Sequence, residues 1–309
     1  MILIVTHTED YTADFIVNKL NAQEISYVRW NCDRGLTNTY TLSNSRDFEP
    51  ELIGQVEFDS VWFRRTKNPR LDIDNIGNRL YLNSEYESLL NNILVTVSTR
   101  KWLSEPMWVY RAENKALQLR IASDLGLAIP ETLITNDKER IKEFCDRFSA
   151  EVVLKPMGSG RIYTGAGIKT IFTNKIKPEH LASLEDYDIT PIILQEYIDK
   201  DYEIRLTVVD NEFFAAKVDS QKSESTKIDW RRDKTQFDIC NLPNEVSHKC
   251  VALVNKLHLN FGAIDLIKSK SGEYYFLEIN PNGQWAWIEI DTGLQISKSI
   301  INFLSSKHS

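Results

Sequence analysis

With 309 residues, 42% hydrophobic and 26% charged, the chain is long enough for two or three sub-domains sharing one interior, and its composition excludes disordered and collagen-like classes. A formal net charge of -7 argues against non-specific attraction to nucleic acid or to an anionic membrane surface, because both need a basic excess; any polyanion must be held by a local cluster. Nothing approaches the roughly 20 apolar residues of a membrane span, and Cys32, Cys145, Cys240 and Cys250 are scattered without metal spacing, so reduced thiols and a cytoplasmic protein are expected.

The opening MILIV before polar THTED reads as a first strand and not as a signal peptide. A helical run near Tyr11 to Leu20 and strand-like runs at Ser26 to Trp30 and Ser60 to Phe63 follow. That alternation predicts a small α/β domain with a parallel sheet. Helical spacing is expected from Ser84 to Trp102, broken at Pro106, which sets a first unit of 1–104. In the unit 105–194, Ala116, Leu117, Ile121 and Leu125 predict a helix stopped by Gly126. Thr132 to Thr135 is extended, Asp137 caps a second helix, and Val152 to Lys155 is a short strand before a glycine-rich loop. The last third, with a third unit set at 195–309, shows strands around Ile192 to Ile198 and Ile204 to Val209, a polar mobile loop at Ser220 to Thr235, a helix over Val246 to Leu257 and a hairpin from Ala263 to Asn280.

The hairpin carries the most chemistry. A two-residue Ser271-Gly272 turn would set Lys270 opposite Glu273 and Asp265 opposite Glu278. Glu278 and Asn280 would then share one face, with Tyr275, Leu277 and Ile279 turned toward a core. Facing carboxylates repel unless a cation sits between them, and Mg2+ takes hard oxygen ligands together with substrate phosphates. A hairpin with a solvated polar face is the alternative; acid opposite acid is what such a face has no need of.

These residues resemble the ATP-grasp ligase superfamily: Gly262-Ala-Ile-Asp265 and Phe276-Leu-Glu278-Ile-Asn280-Pro-Asn-Gly look like its metal-binding signature. The resemblance implies an N-terminal α/β domain, a central α+β domain and a C-terminal antiparallel-sheet domain, with ATP between the last two and Mg2+ on Asp265, Glu278 and Asn280. Lys115 and Lys155 resemble the family's nucleotide lysines, Gln195-Glu196-Tyr197-Ile198 its adenine-reading strand, and Glu203 its ribose acceptor. Gly158-Ser159-Gly160, with Gly165 and Gly167, resembles the phosphate flap, although an exposed turn has the same composition.

Arg64-Arg65, Asp229-Trp230-Arg231 and the Trp285 and Trp287 region are similar to the branch that makes graspetides, including microviridin-type peptides. That likeness implies activation of Asp or Glu side chains in a ribosomally made precursor peptide as acyl phosphates, closed into esters or amides by Ser, Thr or Lys. It also implies a homodimer. Arg205 and Arg231 are the candidates for stabilising the transferring group. Lys217 is a candidate for substrate contact or a surface lysine, and Glu185 and Asp186 are candidates for holding the precursor leader or part of a solvated loop. Two alternatives stay open: a ligase that adds an amino acid to a small molecule or a protein tail, and a nucleotide-binding module without catalysis.

Overall fold

The computed structural model describes residues 1–35, 38–158, 160–164, 167–184, 192–233 and 235–306. Its first part runs β1 (Ile2–Thr6), α1 (Tyr11–Ala22), β2 (Tyr27–Asn31), β3 (Tyr40–Thr41), β4 (Glu51–Leu52), β5 (Phe58–Phe63), α2 (Ile76–Thr96) and β6 (Thr99–Trp102). Every residue of β1 is buried, as a strand covered on both faces requires, and the sheet order β2-β1-β5-β6 is parallel throughout. The helix expected over Ser84 to Trp102 instead spans α2 and stops at Thr96; Thr99–Trp102, with β-branched Thr99 and aromatic Trp102 at its ends, joins the sheet beside β5. Pro106 does not merely interrupt the chain. It opens a new helix at the position where its missing N–H costs nothing.

The middle of the chain holds α3 (Pro106–Ala112), α4 (Lys115–Asp124), β7 (Thr132–Thr135), α5 (Lys138–Arg147), β8 (Val152–Lys155), β9 (Arg161–Thr164), β10 (Gly167–Thr170), β11 (Asn174–Lys175), α6 (Pro178–Ala182) and β12 (Ile192–Glu196). Asn114 and Asp137 cap α4 and α5 with their side chains, and Gly126 beyond α4 has φ +73°. An antiparallel sheet β11-β8-β12-β7 forms, and β9 and β10 make a separate hairpin. The last part comprises β13 (Lys200–Val209), β14 (Glu212–Val218), β15 (Asp238–Ile239), α7 (Asn244–Lys256), β16 (Phe261–Ser269), β17 (Tyr274–Asn280), α8 (Ala286–Thr292) and α9 (Ile296–Ser305). Its antiparallel sheet has the order β15-β14-β13-β16-β17. Among the described residues no helix is long and apolar enough to cross a membrane.

Among the described residues three buried clusters form, two of which join these layers. One runs from Leu3, Val61 and Ile93 through Val109 and Leu119 to Ile204, Leu206, Ile264 and Phe276. A second joins Ile4, Ile16 and Leu20 to Trp285, Ile288 and Ile300. The third is confined to the middle of the chain, with Ile141, Phe144, Val152, Ile192 and Leu194. Expected as one unit, residues 105–194 therefore divide in their packing: α3 and α4 belong to the interior of the last sheet, whereas β7 to β12 keep a core of their own.

In the β16–β17 hairpin, Asp265 does stand opposite Glu278, but by a different route from the one expected. Ser269, not Lys270, faces Glu273, so the turn has three residues, Lys270 to Gly272, with Gly272 at φ +91°. A bulge between the Asp265 and Leu266 pairs then absorbs one extra residue of β17 and restores the register. Because the bulge switches faces, Phe276 enters the core together with Ile279, while Tyr275 and Leu277 stay partly exposed. The Ser220 to Thr235 stretch is likewise more ordered than expected: it forms short 3-10 turns at Ser220–Lys222 and Trp230–Arg232 and buries Ser220, Thr226 and Asp229.

Candidate active site

Alternation along paired strands decides which side chains meet. β13 sets Arg205 beside Asp265 of β16, which in turn sets Asp265 beside Glu278 and Ala263 beside Asn280 of β17. Arg205, Asp265, Glu278 and Asn280 therefore share one face of the last sheet. The two acids have each found a cation: Arg205 donates to Asp265 at 3.1 Å, and Lys115, the first residue of α4, donates to Glu278 at 2.6 Å. Burial pushes the Asp265 carboxyl above its ordinary range, with Arg205 opposing and Glu278 adding to the rise. Burial would lift Glu278 too, but the Lys115 and Lys155 ammonium groups override it and hold that carboxyl below its usual range.

The facing wall comes from the middle sheet. There Lys155, Ile193 and Ile134 lie side by side, and so do Val153, Gln195 and Thr132, which puts Lys155 and Gln195 on one face. Burial pushes the Lys155 ammonium down to about 8, with Lys115 and Arg231 adding to the fall while Glu278 and Asp265 resist it. Lys155 thus feels the acid pair from across the cleft. Arg231 is bound by Asp229, which raises its pKa first, and Glu278 and Asp265 raise it further. Lys115, Lys155, Arg205 and Arg231 gather around two carboxylates, and the lowered Lys155 marks an arrangement short of negative charge. The oxygen donors Asp265, Glu278 and Asn280 suit a hard divalent cation such as Mg2+, and the surrounding cations suit a polyphosphate. Of the eight buried polar atoms without partners among the described residues, three belong to these two walls: Gln195 Oε1 on the middle sheet, and Arg205 Nε and Thr207 Oγ1 on the facing one. Sequence reasoning missed Thr207, although it follows Glu203 and Arg205 at the strand period, on the same face.

The remaining candidates divide. Glu203 is buried and accepts from Lys200 at 2.7 Å, on the face that carries Arg205. Gln195 donates to Thr132 at 2.9 Å, and the Glu196 carboxylate accepts from the Glu131 N–H at 3.2 Å. The N–H groups of Glu196 and Tyr197 are both spent inside the sheet, on the carbonyls of Glu131 and Glu151, and the buried Ile198 follows them. Gly158 is exposed, and Gly160 accepts from the Ile171 N–H at 2.7 Å, closing the base of the β9–β10 hairpin. Ser159, Gly165, Glu185 and Asp186 lie outside the described residues. Lys217 is corrected: β14 pairs it with Ile204, so strand alternation turns it to the opposite face from Arg205 and Asp265, exposed and with its Nζ 5.5 Å from the Tyr202 ring. Directly after the Asn280 loop, Trp285 is fully buried against Phe15, and Trp287 packs on Phe237 and Trp230.

Within that loop Gly283 has no room for a side chain. A Cβ there would lie 2.4 Å from the Ala263 Cβ and 3.3 Å from the Asn280 carbonyl oxygen. Gly283→Ala is therefore expected to cost about 1–3 kcal/mol of stability, read as a lower denaturant midpoint, and to raise the Mg2+ concentration needed for activity because Asn280 moves with the loop.

The overall fold is shared with known proteins. The macrocyclase MdnC from Microcystis aeruginosa MRC, in a crystal structure bound with precursor peptide MdnA, superposes with a TM-score of 0.87 at 28% identity, covering 98% of this chain and 99% of that one. A Chryseobacterium gregarium RiPP-associated ATP-grasp ligase, in complex with ADP and a leader and core peptide, gives a TM-score of 0.87 at 29% identity, covering 100% and 97%. Among curated proteins, the alpha-aminoadipate–LysW ligase LysX of Sulfurisphaera tokodaii is 28% identical over 115 residues, and the match covers 36% of this chain and only 40% of that relative's length. A probable alpha-L-glutamate ligase of Saccharophagus degradans is 23% identical over 210 residues, covering 66% of this chain and 67% of its own length. Residues 112–304 match the RimK-like ATP-grasp domain, and the chain belongs to that family.

Proposed function

We propose that the chain is an ATP-dependent peptide ligase that phosphorylates Asp or Glu side chains of a ribosomally made precursor and joins them to Ser or Thr hydroxyls, or to Lys amines, of the same peptide. The observation that carries this reading is the gathering of Lys115, Lys155, Arg205 and Arg231 around the Asp265–Glu278 pair. Likeness to two peptide-bound ligases over nearly the whole chain supports the substrate class. Asp265, Glu278 and Asn280 would hold Mg2+, which supplies charge neutralisation for the phosphates. Lys115 would exchange its bond with Glu278 for a phosphate oxygen, and Lys155 would gain the negative charge its surroundings lack. With the Glu196 and Tyr197 amides spent on the sheet, an adenine edge would meet the Tyr197 carbonyl and the Ile198 backbone.

In the first step the substrate carboxylate oxygen bonds to the γ-phosphorus of ATP as the bond to ADP breaks, giving an acyl phosphate on the peptide. In the second, a hydroxyl or amine attacks the acyl carbon, loses its proton and expels phosphate. Arg205 and Arg231 counter the charge that develops on the phosphoryl oxygens and the later oxyanion. The test is incubation with Mg-ATP and the peptide of a short neighbouring reading frame rich in Thr, Ser, Asp and Glu near its end. Loss of one water mass per ADP formed is the expected result; unchanged peptide mass would overturn the reading. The curated likenesses favour one second reading, addition of an amino acid to a carboxylate, and a gain of an amino-acid residue's mass would establish it.

A further inference from the structure

Next to the site lies a contact network in which Arg231 is held by a neighbour that sequence motifs single out but no catalytic step uses. Asp229 is only 4% exposed, and both of its oxygens are fully engaged. Oδ1 accepts from the Arg231 backbone N–H at 3.1 Å and from Arg231 Nε at 2.8 Å; Oδ2 accepts from Arg231 NH2 at 2.6 Å and from the Thr173 N–H at 3.2 Å. Four acceptor directions are about what one carboxylate offers, so this one has little freedom to turn. A bidentate fork fixes the plane of a guanidinium as well as its distance. The Arg231 side chain is nevertheless 45% exposed, which leaves its outer edge open to a ligand.

The Thr173 contact matters because of where Thr173 lies. It immediately precedes β11, whose Asn174 pairs with Leu154, the neighbour of Lys155 on β8. The next arginine reinforces the tie: Arg232 NH2 donates to the Thr173 carbonyl and to Asn174 Oδ1, both at 2.7 Å, with its guanidinium 5.5 Å from the Phe172 ring. The other end of the same segment is rooted in the last sheet. Lys200 Nζ donates to the Ile228 carbonyl at 3.1 Å, Trp230 packs 5.1 Å from Phe237 and 5.7 Å from Trp287, and the Arg205 guanidinium lies 5.9 Å from the Trp230 ring. Residues 228–232 therefore cross from one wall of the cleft to the other. Such a crossing has consequences because, among the described residues, the middle sheet keeps its own core and shares no buried cluster with the wall that carries Asp265 and Glu278.

We propose that Asp229 is a positioning residue for phosphoryl transfer: it fixes the Arg231 guanidinium toward the Asp265–Glu278 pair and, through the Thr173 amide, ties that arginine to the strands that carry Lys155. One carboxylate thus sets the spacing between the cations of the two walls. Arg231 and Arg232 divide the work, the first open to the cleft and the second closed on the strand edge. The inference rests on the proposed function, since it assumes that a phosphoryl group passes between those walls.

The experiment uses the full chain with Mg2+ and a fluorescent ADP analogue, titrated with and without aluminium fluoride as a mimic of the transferring phosphoryl group. In the unaltered protein the fluoride should tighten ADP binding. In Asp229→Asn, Mg-ADP alone should bind within about twofold of the unaltered protein, while the tightening should shrink by about tenfold to a hundredfold. Arg231→Lys should lose the tightening to a similar extent, and in the double variant that loss should be no greater than in either single one, because both remove the same fork. If Asp229→Asn does not fold, Asp229→Glu keeps the charge, displaces the fork by one methylene and should show the same loss. Undiminished tightening in these variants, or losses that add in the double variant, would overturn the inference while leaving nucleotide binding in place. Failure of the unaltered protein to bind Mg-ADP would instead sink the ligase reading, and this inference with it.

Discussion

Asp265→Asn and Glu278→Gln are each expected to lower Mg-ATP-dependent turnover by about 10²–10³-fold and to shift thermal stability in opposite directions. Both changes remove a negative oxygen ligand from the face that would hold the cation, so loss of turnover is common to them. Stability separates them because the two carboxyls sit in different fields. Burial pushes Asp265 up, outweighing Arg205 at 3.1 Å and the more distant Arg231, and Glu278 opposite adds to the push. A carboxyl with a raised folded pKa stabilises the fold below its unfolded value and loses that contribution as pH rises through the folded value. At neutral pH an ionised Asp265 is therefore a net burden, and the neutral amide should raise the melting temperature of the nucleotide-free protein. Glu278 is held down by Lys115 and Lys155 in spite of its burial, so its contribution is present above the ordinary glutamate range and lost on acidification through the lower folded value. Glu278→Gln takes away the charged partner of Lys115 and should lower the melting temperature. Thermal melts near neutral pH, alongside an assay for ADP, read both effects. Full turnover in either variant, or melting shifts of the same sign, would contradict this division.

The Asp265–Glu278 pairing was legible because a turn and two short strands fix a register locally, yet the expectation reached the right pair through two departures that cancel. The bulge left no trace in the sequence: Tyr274 to Ile279 is apolar or aromatic at every position except Glu278, so period-two patterning cannot say which residues face the core. The choice between the two readings of Lys217 was, by contrast, legible. Val209 pairs with Glu212 across the two-residue turn Asp210-Asn211, and continuing that register puts Lys217 beside apolar Ile204, away from Arg205. Lys115, Lys155 and Arg205 sit on three separate elements, and no local rule brings them together. Only the ordered set of motifs did so. The Asp229 network was invisible for a related reason: Thr173 contributes its backbone, which carries no sequence signature. The same holds for the partition of the core, where α4 reads as an amphipathic helix of the middle unit but buries Leu119 and Ala122 with the last sheet.

Lys155 offers a test in which pH does the work of a mutation. Burial brings its ammonium down to about 8, so in the ligand-free protein it begins to lose its proton just above neutrality. A bound polyphosphate favours the charged form and moves that pKa back up. Below pH 8 the lysine is already protonated and Mg-ADP affinity should be flat. Above it, each binding event must take a proton from solution, so affinity should fall by up to about tenfold per pH unit until the pKa of the bound state is reached. The ligand-free fold should behave in the opposite sense: with a folded pKa below the unfolded one, Lys155 makes the unfolded chain the better proton acceptor, and stability contributed by this group rises over the same window. Calorimetric titration at pH 8.5 in two buffers of different ionisation enthalpy measures the proton uptake directly. Lys155→Met should abolish the uptake and weaken Mg-ADP by about 10–100-fold, the worth of a hydrogen bond to a charged group. Lys155→Arg should keep a cation at every accessible pH, and so lose the pH dependence while retaining part of the affinity. Proton uptake that survives in Lys155→Met would mean that some other group titrates on binding and that the middle wall of the cleft does not meet the phosphates through this side chain.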